Sequence, residues 1–214
     1  MSSYNIKDKF IYIHIPKTAG TSMEQVSWIG TGMQKHGDME YFNEMAKHTQ
    51  DGELDLDKYW KWCFVRNPYT KFMSGVINHV LKGRFIDLGT EGKRNHDIMK
   101  KEITKFITRY GEGYNYPRHA AQSRETDFNR FIVLRQQSEF VTVDGKNVMD
   151  FVGKFENLEE DFNKVCDRLG KPHVKLLHRV RGFKIDYDSL YTEETRRIIK
   201  NYYSKDFEIF GYEK

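Results

Sequence analysis

Residues 13 to 22 read IHIPKTAGTS, a stretch whose residue types suit an anion. Lys17 brings a full positive charge. Thr18, Thr21 and Ser22 bring hydroxyl donors, and Gly20 lets the backbone come close to a bound group. If the chain turns here from a strand into a helix, free N–H groups and the positive end of the helix dipole face the same point. Such a set fits a 5′-phosphate or a mixed anhydride. The residue order argues against a Mg-ATP loop, which reads G-x-x-x-x-G-K-[ST] with lysine directly after the last glycine. Here Lys17 precedes the only glycine of the stretch, Gly20.

A second stretch, FVRNPYTKFMS at 64 to 74, carries another cation and another hydroxyl. Arg66 offers a planar fork that matches a phosphate monoester, and Ser74 can complete the cradle. If the strands that end in these two stretches are neighbours, the two anion sites lie side by side. One ligand then carries a phosphate or anhydride at one end and a separate phosphate at the other.

The elements that must hold these groups are legible. KFIYIHI (9 to 15) is β-branched and aromatic and ends at Pro16, which predicts a buried strand. Thr21 or Ser22 is then the N-cap of a helix over MEQVSWI. YWKWCFVR (59 to 66) predicts a second strand, stopped by Asn67-Pro68. Asn is a good cap and Pro suits the first helical position, so a helix runs from Pro68 to about Gly83. A strand–turn–helix unit thus occurs twice, which implies a parallel sheet with ligand sites at the C-terminal strand ends.

Further along, MEYFNEMAKH is a weak helical stretch, and residues 83 to 94 and 111 to 127 read as loop. NHDIMKKEITKFITRYG places Ile103, Phe106, Ile107 and Tyr110 at helical spacing. FIVL (131 to 134) and VMDFVGKF (148 to 155) are strand candidates, with Asp144-Gly145 a hairpin turn. NLEEDFNKVCDRLG is the clearest helix, opened by Asn157 with Glu160 and closed by Gly170 and Pro172. A last helix starts near Thr192, with Glu193 and Glu194 in its first turn. With no repeat, linker or low-complexity tract, residues 1–214 read as one domain.

Composition narrows the partners. The formal charge of +4 suits an anionic small ligand or an acidic glycan and is too small to argue for nucleic acid. Cys63 and Cys166 both fall in apolar patterns and read as small buried hydrophobes. The N-terminal MSSYNIKDKF has no apolar signal core and no window approaches a membrane span, so the expectation is a soluble, cytoplasmic protein without membrane insertion. No His or Cys spacing typical of a metal site occurs, and none is expected.

Together, IHIPKTAGTS and FVRNPYTKFMS closely resemble the two nucleotide motifs of the PAPS-dependent sulfotransferases, in the carbohydrate branch that includes heparan 2-O- and chondroitin/dermatan 4-O-enzymes. PAPS is 3′-phosphoadenosine-5′-phosphosulfate. The resemblance continues in order through LRQQSEFV (134 to 141), DFVGKFENLEEDF (150 to 162) and the tail YYSKDFEIFGY. It implies an α/β, P-loop-like three-layer fold with a central parallel sheet flanked by helices. It implies that Lys17, Thr18, Ala19, Gly20, Thr21 and Ser22 hold the 5′-phosphosulfate, and that Arg66 and Ser74 hold the 3′-phosphate. Three departures stand out: Lys71 where arginine is frequent, Gly75-Val76 in place of an aromatic-bearing stretch, and Gln136 where proline is frequent. They touch the acceptor side more than the nucleotide side.

Sulfuryl transfer demands in-line attack and stabilisation of charge on the departing oxygen. Lys17 is suited to that second task. A hydroxyl acceptor, here expected on a glycan, also needs a base, and histidine is the usual choice near neutral pH. His48 in AKHTQ resembles a K-H segment of relatives, where a histidine is the proposed base. His79 and the glutamates between 36 and 57 are the other candidates. His14 reads as a core residue. His119 and His178 fall in loops that could touch substrate, and Arg118, Arg135, Arg179 and Arg181 read singly as solvated surface charge. Two rival functions remain on the residues alone. A kinase of related fold would need Mg²⁺ and the Walker order, and a silent nucleotide-binding module would keep Arg66 and Ser74 without turnover.

Overall fold

The computed structural model describes residues 1–29, 36–48, 55–80, 92–111, 132–176 and 186–213; of residues 79, 80, 92–95, 110 and 111 it describes the backbone alone. The predicted loop at 83 to 91, most of that at 111 to 127, and His119, His178, Arg118, Arg179 and Arg181 lie outside the described residues. Two compact units emerge, Met1–Arg66 with Gln136–Arg181, and Asn67–Arg135 with Gly182–Lys214.

The first unit holds the sheet. Its strands are β1 (Ser3–Asn5), β2 (Phe10–Ile13), β3 (Trp60–Val65) and, after the short hairpin β4 (Thr142–Val143) and β5 (Lys146–Asn147), β6 (Phe151–Lys154). The order is β1-β2-β3-β6. β2, β3 and β6 run parallel, and β1 closes one edge antiparallel to β2. The fold is therefore mixed α/β with a mostly parallel central sheet flanked by helices. β1 has only three residues, too few for a periodic signal, and sequence reading passes over it. The β4–β5 hairpin turns through Asp144 at φ 50° and Gly145 at φ 76°, the mirror-image turn that Asp-Gly favours.

Alternation along the strands decides the core. Tyr12 pairs with Trp62, and Phe64 with Gly153. Phe10, Tyr12, Trp62 and Phe64 share one face and pack with Leu158, Phe162, Val165 and Cys166 of the helix Leu158–Leu169. A β-carbon at Gly153 would lie 2.4 Å from the Phe64 ring, so glycine is required where that ring crosses its neighbour strand. The helix ends as expected, with Gly170 left-handed at φ 62°. Its start differs, because the Asn157 side chain makes no cap bond. Asp161 instead reaches back, accepting 2.8 Å hydrogen bonds from the Lys154 N–H and the Lys164 ammonium. Cys63 and Cys166 are both buried free thiols, and burial pushes both thiols up.

The second unit is helical among its described residues, with Pro68–Gly75, Gly92–Gly111, Glu193–Tyr202 and Ser204–Ile209. The Asn67 carboxamide accepts from the Tyr69 N–H at 3.0 Å and Pro68 takes the first position, as the sequence predicts. The helix then widens into a π-turn over Val76–Val80. Gly92–Gly111 buries Ile103 and Ile107 and starts three residues before the predicted Asn95. Thr192 caps the Glu193–Tyr202 helix through a reciprocal bond with Thr195.

One predicted strand is absent. FIVL gives a 3-10 turn over Ile132–Leu134. Lys71, fully buried, donates to the Val133 carbonyl at 3.1 Å and the Arg135 carbonyl at 2.7 Å. The Tyr203 hydroxyl donates to the Leu134 carbonyl. Side chains thus occupy three successive carbonyls that a strand would give to a ladder. Lys71, a departure from the family pattern, is here a structural residue.

No helix among the described residues is long and apolar enough to cross a membrane.

Candidate active site at the ends of two parallel strands

β2 and β3 are neighbours in register, Ile13 facing Cys63, so their C-terminal ends open on the same side of the sheet. After β2 the loop turns sharply, with Lys17 at φ 70° and Ala19 at φ 80°. Both adopt the left-handed region that non-glycine residues seldom enter, at a cost of about 1–3 kcal/mol each unless neighbours hold them. Thr18, fully buried between them, donates its hydroxyl to the Ile15 carbonyl at 2.8 Å. This bond ties the loop back onto the end of β2.

The helix that follows corrects an expectation. It spans only Gly20–Met23, is capped by the left-handed Ala19 backbone, and makes no side-chain cap. The Ser22 and Met23 N–H groups both donate to the Ala19 carbonyl, at 2.8 and 3.1 Å. Neither Thr21 nor Ser22 is the N-cap, because the turn closes two residues earlier than the residue types suggest. Residues 24 to 29 continue in turns.

Gly20 has a second reason to be glycine. A β-carbon there would lie 1.6 Å from Nε2 of His14. The His14 imidazole is buried, as expected, and fills the space that any other side chain would need. Its ring stacks with Tyr12 at 6.2 Å and lies 4.6 Å from that of His36, whose Nδ1 is 3.2 Å from the His14 carbonyl. The His14 N–H donates to the Ser2 hydroxyl at 2.9 Å.

Arg66 follows directly on β3. Its guanidinium donates from Nη1 to the Lys17 carbonyl at 3.4 Å and lies 4.3 Å from the centre of the Phe155 ring. Its backbone is gripped by the Gln137 amide. Oε1 accepts the Arg66 N–H and Nε2 donates to the Arg66 carbonyl, both at 2.8 Å. Lys17 feels this neighbour. Burial first, and then the Arg66 charge, push its ammonium down from the usual 10.5 to about 8. Two cations held together against partial burial form a place where an anion relieves repulsion.

The structure therefore brings Lys17 to Ser22 into one loop beside Arg66. Ser74 is buried in the Pro68–Gly75 helix of the second unit, and its carbonyl accepts from the Asn78 amide at 2.9 Å. His48 is exposed at the C-terminal end of the Met39–His48 helix. His79 lies in the π-turn, its side chain outside the described atoms. Gln137 and Phe155 escaped sequence reasoning as contacts of Arg66. The family-like segments LRQQSEFV and DFVGKFENLEEDF contain them, but no local pattern ties Gln137 to a residue 71 positions away.

Residues 3–213 match the family model described as Sulfotransferase family. Carbohydrate sulfotransferase 14 of Danio rerio is 23% identical over 239 residues, covering 97% of this chain and 61% of the relative, so the chain spans about three-fifths of that protein's length. An uncharacterized protein of Archaeoglobus fulgidus is 27% identical over 121 residues, 56% of this chain and 76% of that protein. No solved structure matches at a significant level. A family match over nearly the whole length means that this chain belongs to the sulfotransferase family.

Proposed function

We propose that this protein transfers a sulfuryl group from PAPS to a hydroxyl of a carbohydrate. The observation that carries this reading is the pairing of Lys17 and Arg66. They are 49 positions apart, yet the ends of adjacent strands bring the Arg66 guanidinium onto the Lys17 carbonyl. The donor set fits a nucleotide with two separate anionic groups: an ammonium, a guanidinium fork and a glycine-bearing loop. We take both compact units as parts of one sulfotransferase domain, since the family match runs through both. A carbohydrate acceptor is favoured by the name of the Danio rerio relative.

PAPS, when bound, supplies the sulfuryl group for in-line displacement and a 5′-phosphate as leaving group. The chain's own residues do the rest. Lys17, with the loop from Thr18 to Ser22, receives the 5′ side, and its ammonium counters charge on the departing oxygen. Lys17 must be protonated for this, and an anion beside it raises the pKa that Arg66 and burial depress. Arg66 and Ser74 receive the 3′-phosphate. His48 takes the proton of the acceptor hydroxyl, with His79 and a glutamate of the 36–57 region as the other candidates. No metal is assigned a part.

The test is thermal stabilisation by 3′,5′-ADP, set against 5′-ADP and Mg-ATP. A ligand at about 100 times its Kd stabilises the native state by roughly 2.7 kcal/mol. A shift with 3′,5′-ADP alone is expected, followed by sulfate transfer from PAPS to a glycan panel. A shift only with Mg-ATP would overturn the reading in favour of a kinase. Silence with all three would favour a module that binds no nucleotide.

A further inference from the structure

The grip of Gln137 on Arg66 is unusual in form. A glutamine amide carries one acceptor and one donor side by side, as a peptide group does. Here it uses both on one residue, accepting the Arg66 N–H and donating to the Arg66 carbonyl, each at 2.8 Å. Gln137 is fully buried. It stands where the parallel pairing of β3 with β6 ends, the last pair being Val65 with Lys154. The amide thus extends the strand's hydrogen bonding by one residue, and that residue is the cation. Beyond the backbone, the guanidinium is held on two sides, by the Phe155 ring at 4.3 Å and by the Lys17 carbonyl at 3.4 Å. An arginine side chain otherwise loses much rotamer freedom when it binds, and holding it beforehand removes that cost.

We propose that Gln137 and Phe155 are positioning residues for Arg66, fixing its backbone and its guanidinium so that one geometry meets the ligand's 3′-phosphate. This rests on the reading of Arg66 as the 3′-phosphate residue. Neither residue needs to touch the nucleotide. Gln137 acts through the Arg66 main chain and Phe155 through the face of the guanidinium.

The experiment uses the full chain with Gln137→Met, which is close in shape and makes neither bond, and Phe155→Leu, which leaves the backbone grip intact. Affinities for 3′,5′-ADP and 5′-AMP are measured by calorimetry, since these differ only in the 3′-phosphate. The order of the Arg66 Nε–H is measured by ¹⁵N relaxation, the signal being assigned by its loss in Arg66→Lys. Each variant is expected to bind 3′,5′-ADP about tenfold more weakly while 5′-AMP stays within about twofold, with the Arg66 signal less ordered. Equal losses for both nucleotides in a folded variant would mean a merely structural role and overturn the proposal. So would an unchanged ratio with unchanged Arg66 order. A disordered Arg66 with an unchanged ratio would instead sink the 3′-phosphate assignment, and Arg66→Ala would then show no selectivity change either. Should Gln137→Met fail to fold, Phe155→Leu decides by the same readouts.

Discussion

The loop after β2 and the turn after β3 look like the same device in sequence and are built differently. Both follow a buried strand, both carry a cation, and both lead into a helix. The first is held by an unusual backbone. Lys17 and Ala19 are left-handed, Thr18 bonds back to Ile15, and His14 packs where a β-carbon of residue 20 would be. The second has ordinary helix-start chemistry, Asn67 capping Tyr69 with Pro68 behind it, and its cation is gripped from afar by Gln137 and Phe155. The cations differ as well. Arg66 keeps its charge at any working pH, whereas Lys17 sits at about 8 and can lose its own. On the proposed reading, one end of the site is thus a permanent anchor and the other a tunable charge.

That contrast can be broken in several places. Lys17→Ala should bring sulfate transfer from PAPS to background, a loss of about 10³-fold, with the fold intact by circular dichroism. Turnover close to wild type would remove Lys17 from the chemistry and leave the loop a binding element only. His48 belongs to neither strand end. His48→Ala should lower turnover by about 10²–10⁴ without weakening 3′,5′-ADP, and a near-normal rate would move the search to His79 or a glutamate.

Arg66→Ala tests the anchor. It should weaken 3′,5′-ADP about 10- to 100-fold while sparing 5′-AMP. A similar loss for both would erase the division of labour between the two ends.

Gly20 tests how the loop is built. Gly20→Ala should destabilise the protein by about 1–3 kcal/mol in urea melts, because the new methyl meets the His14 ring. Pairing it with His14→Ala should recover most of that loss. If the double variant is as unstable as the sum of the singles, the glycine serves the backbone's approach to an anion and not the imidazole.

The smallest effect is the pH dependence of Lys17. Between about 8 and the usual 10.5 the unfolded chain keeps a proton that the folded chain has released. Stability of the ligand-free protein should therefore rise with pH across that window. The cost of holding the charged ammonium is fully present below about 8 and relieved above about 10.5. Nucleotide affinity should fall over the same range as the charge is lost. Lys17→Met should flatten the stability difference, and an unchanged slope would place the titrating group elsewhere.

Much of this was legible in the residues. Continuous β-branched and aromatic runs mark β2 and β3, and Asn67-Pro68, Asp144-Gly145 and Gly170 mark the turns and ends that local sterics dictate. The paired motifs give the family. The failures differ in cause. FIVL is as strand-like as β2, but Lys71 and Tyr203 take its carbonyls from 62 to 69 positions away. MEQVSWI has helical residues, but the turn closes at Ala19 and the helix stops at Met23.

The sequence by itself determined which groups are available, an ammonium, a guanidinium, a glycine-bearing loop and the hydroxyls around them, because residue type sets charge and local spacing sets strand and turn. Only the tertiary structure decided their state. That Lys17 feels Arg66 follows from the parallel pairing of strands some 50 residues apart in the chain, that Gln137 holds Arg66 follows from packing across 71 positions, and that Gly20 makes room for His14 follows from the way the loop folds back on the strand end. Proximity across such a separation leaves no local trace in sequence, since the apolar run that buries a strand is the same whichever neighbour it finds.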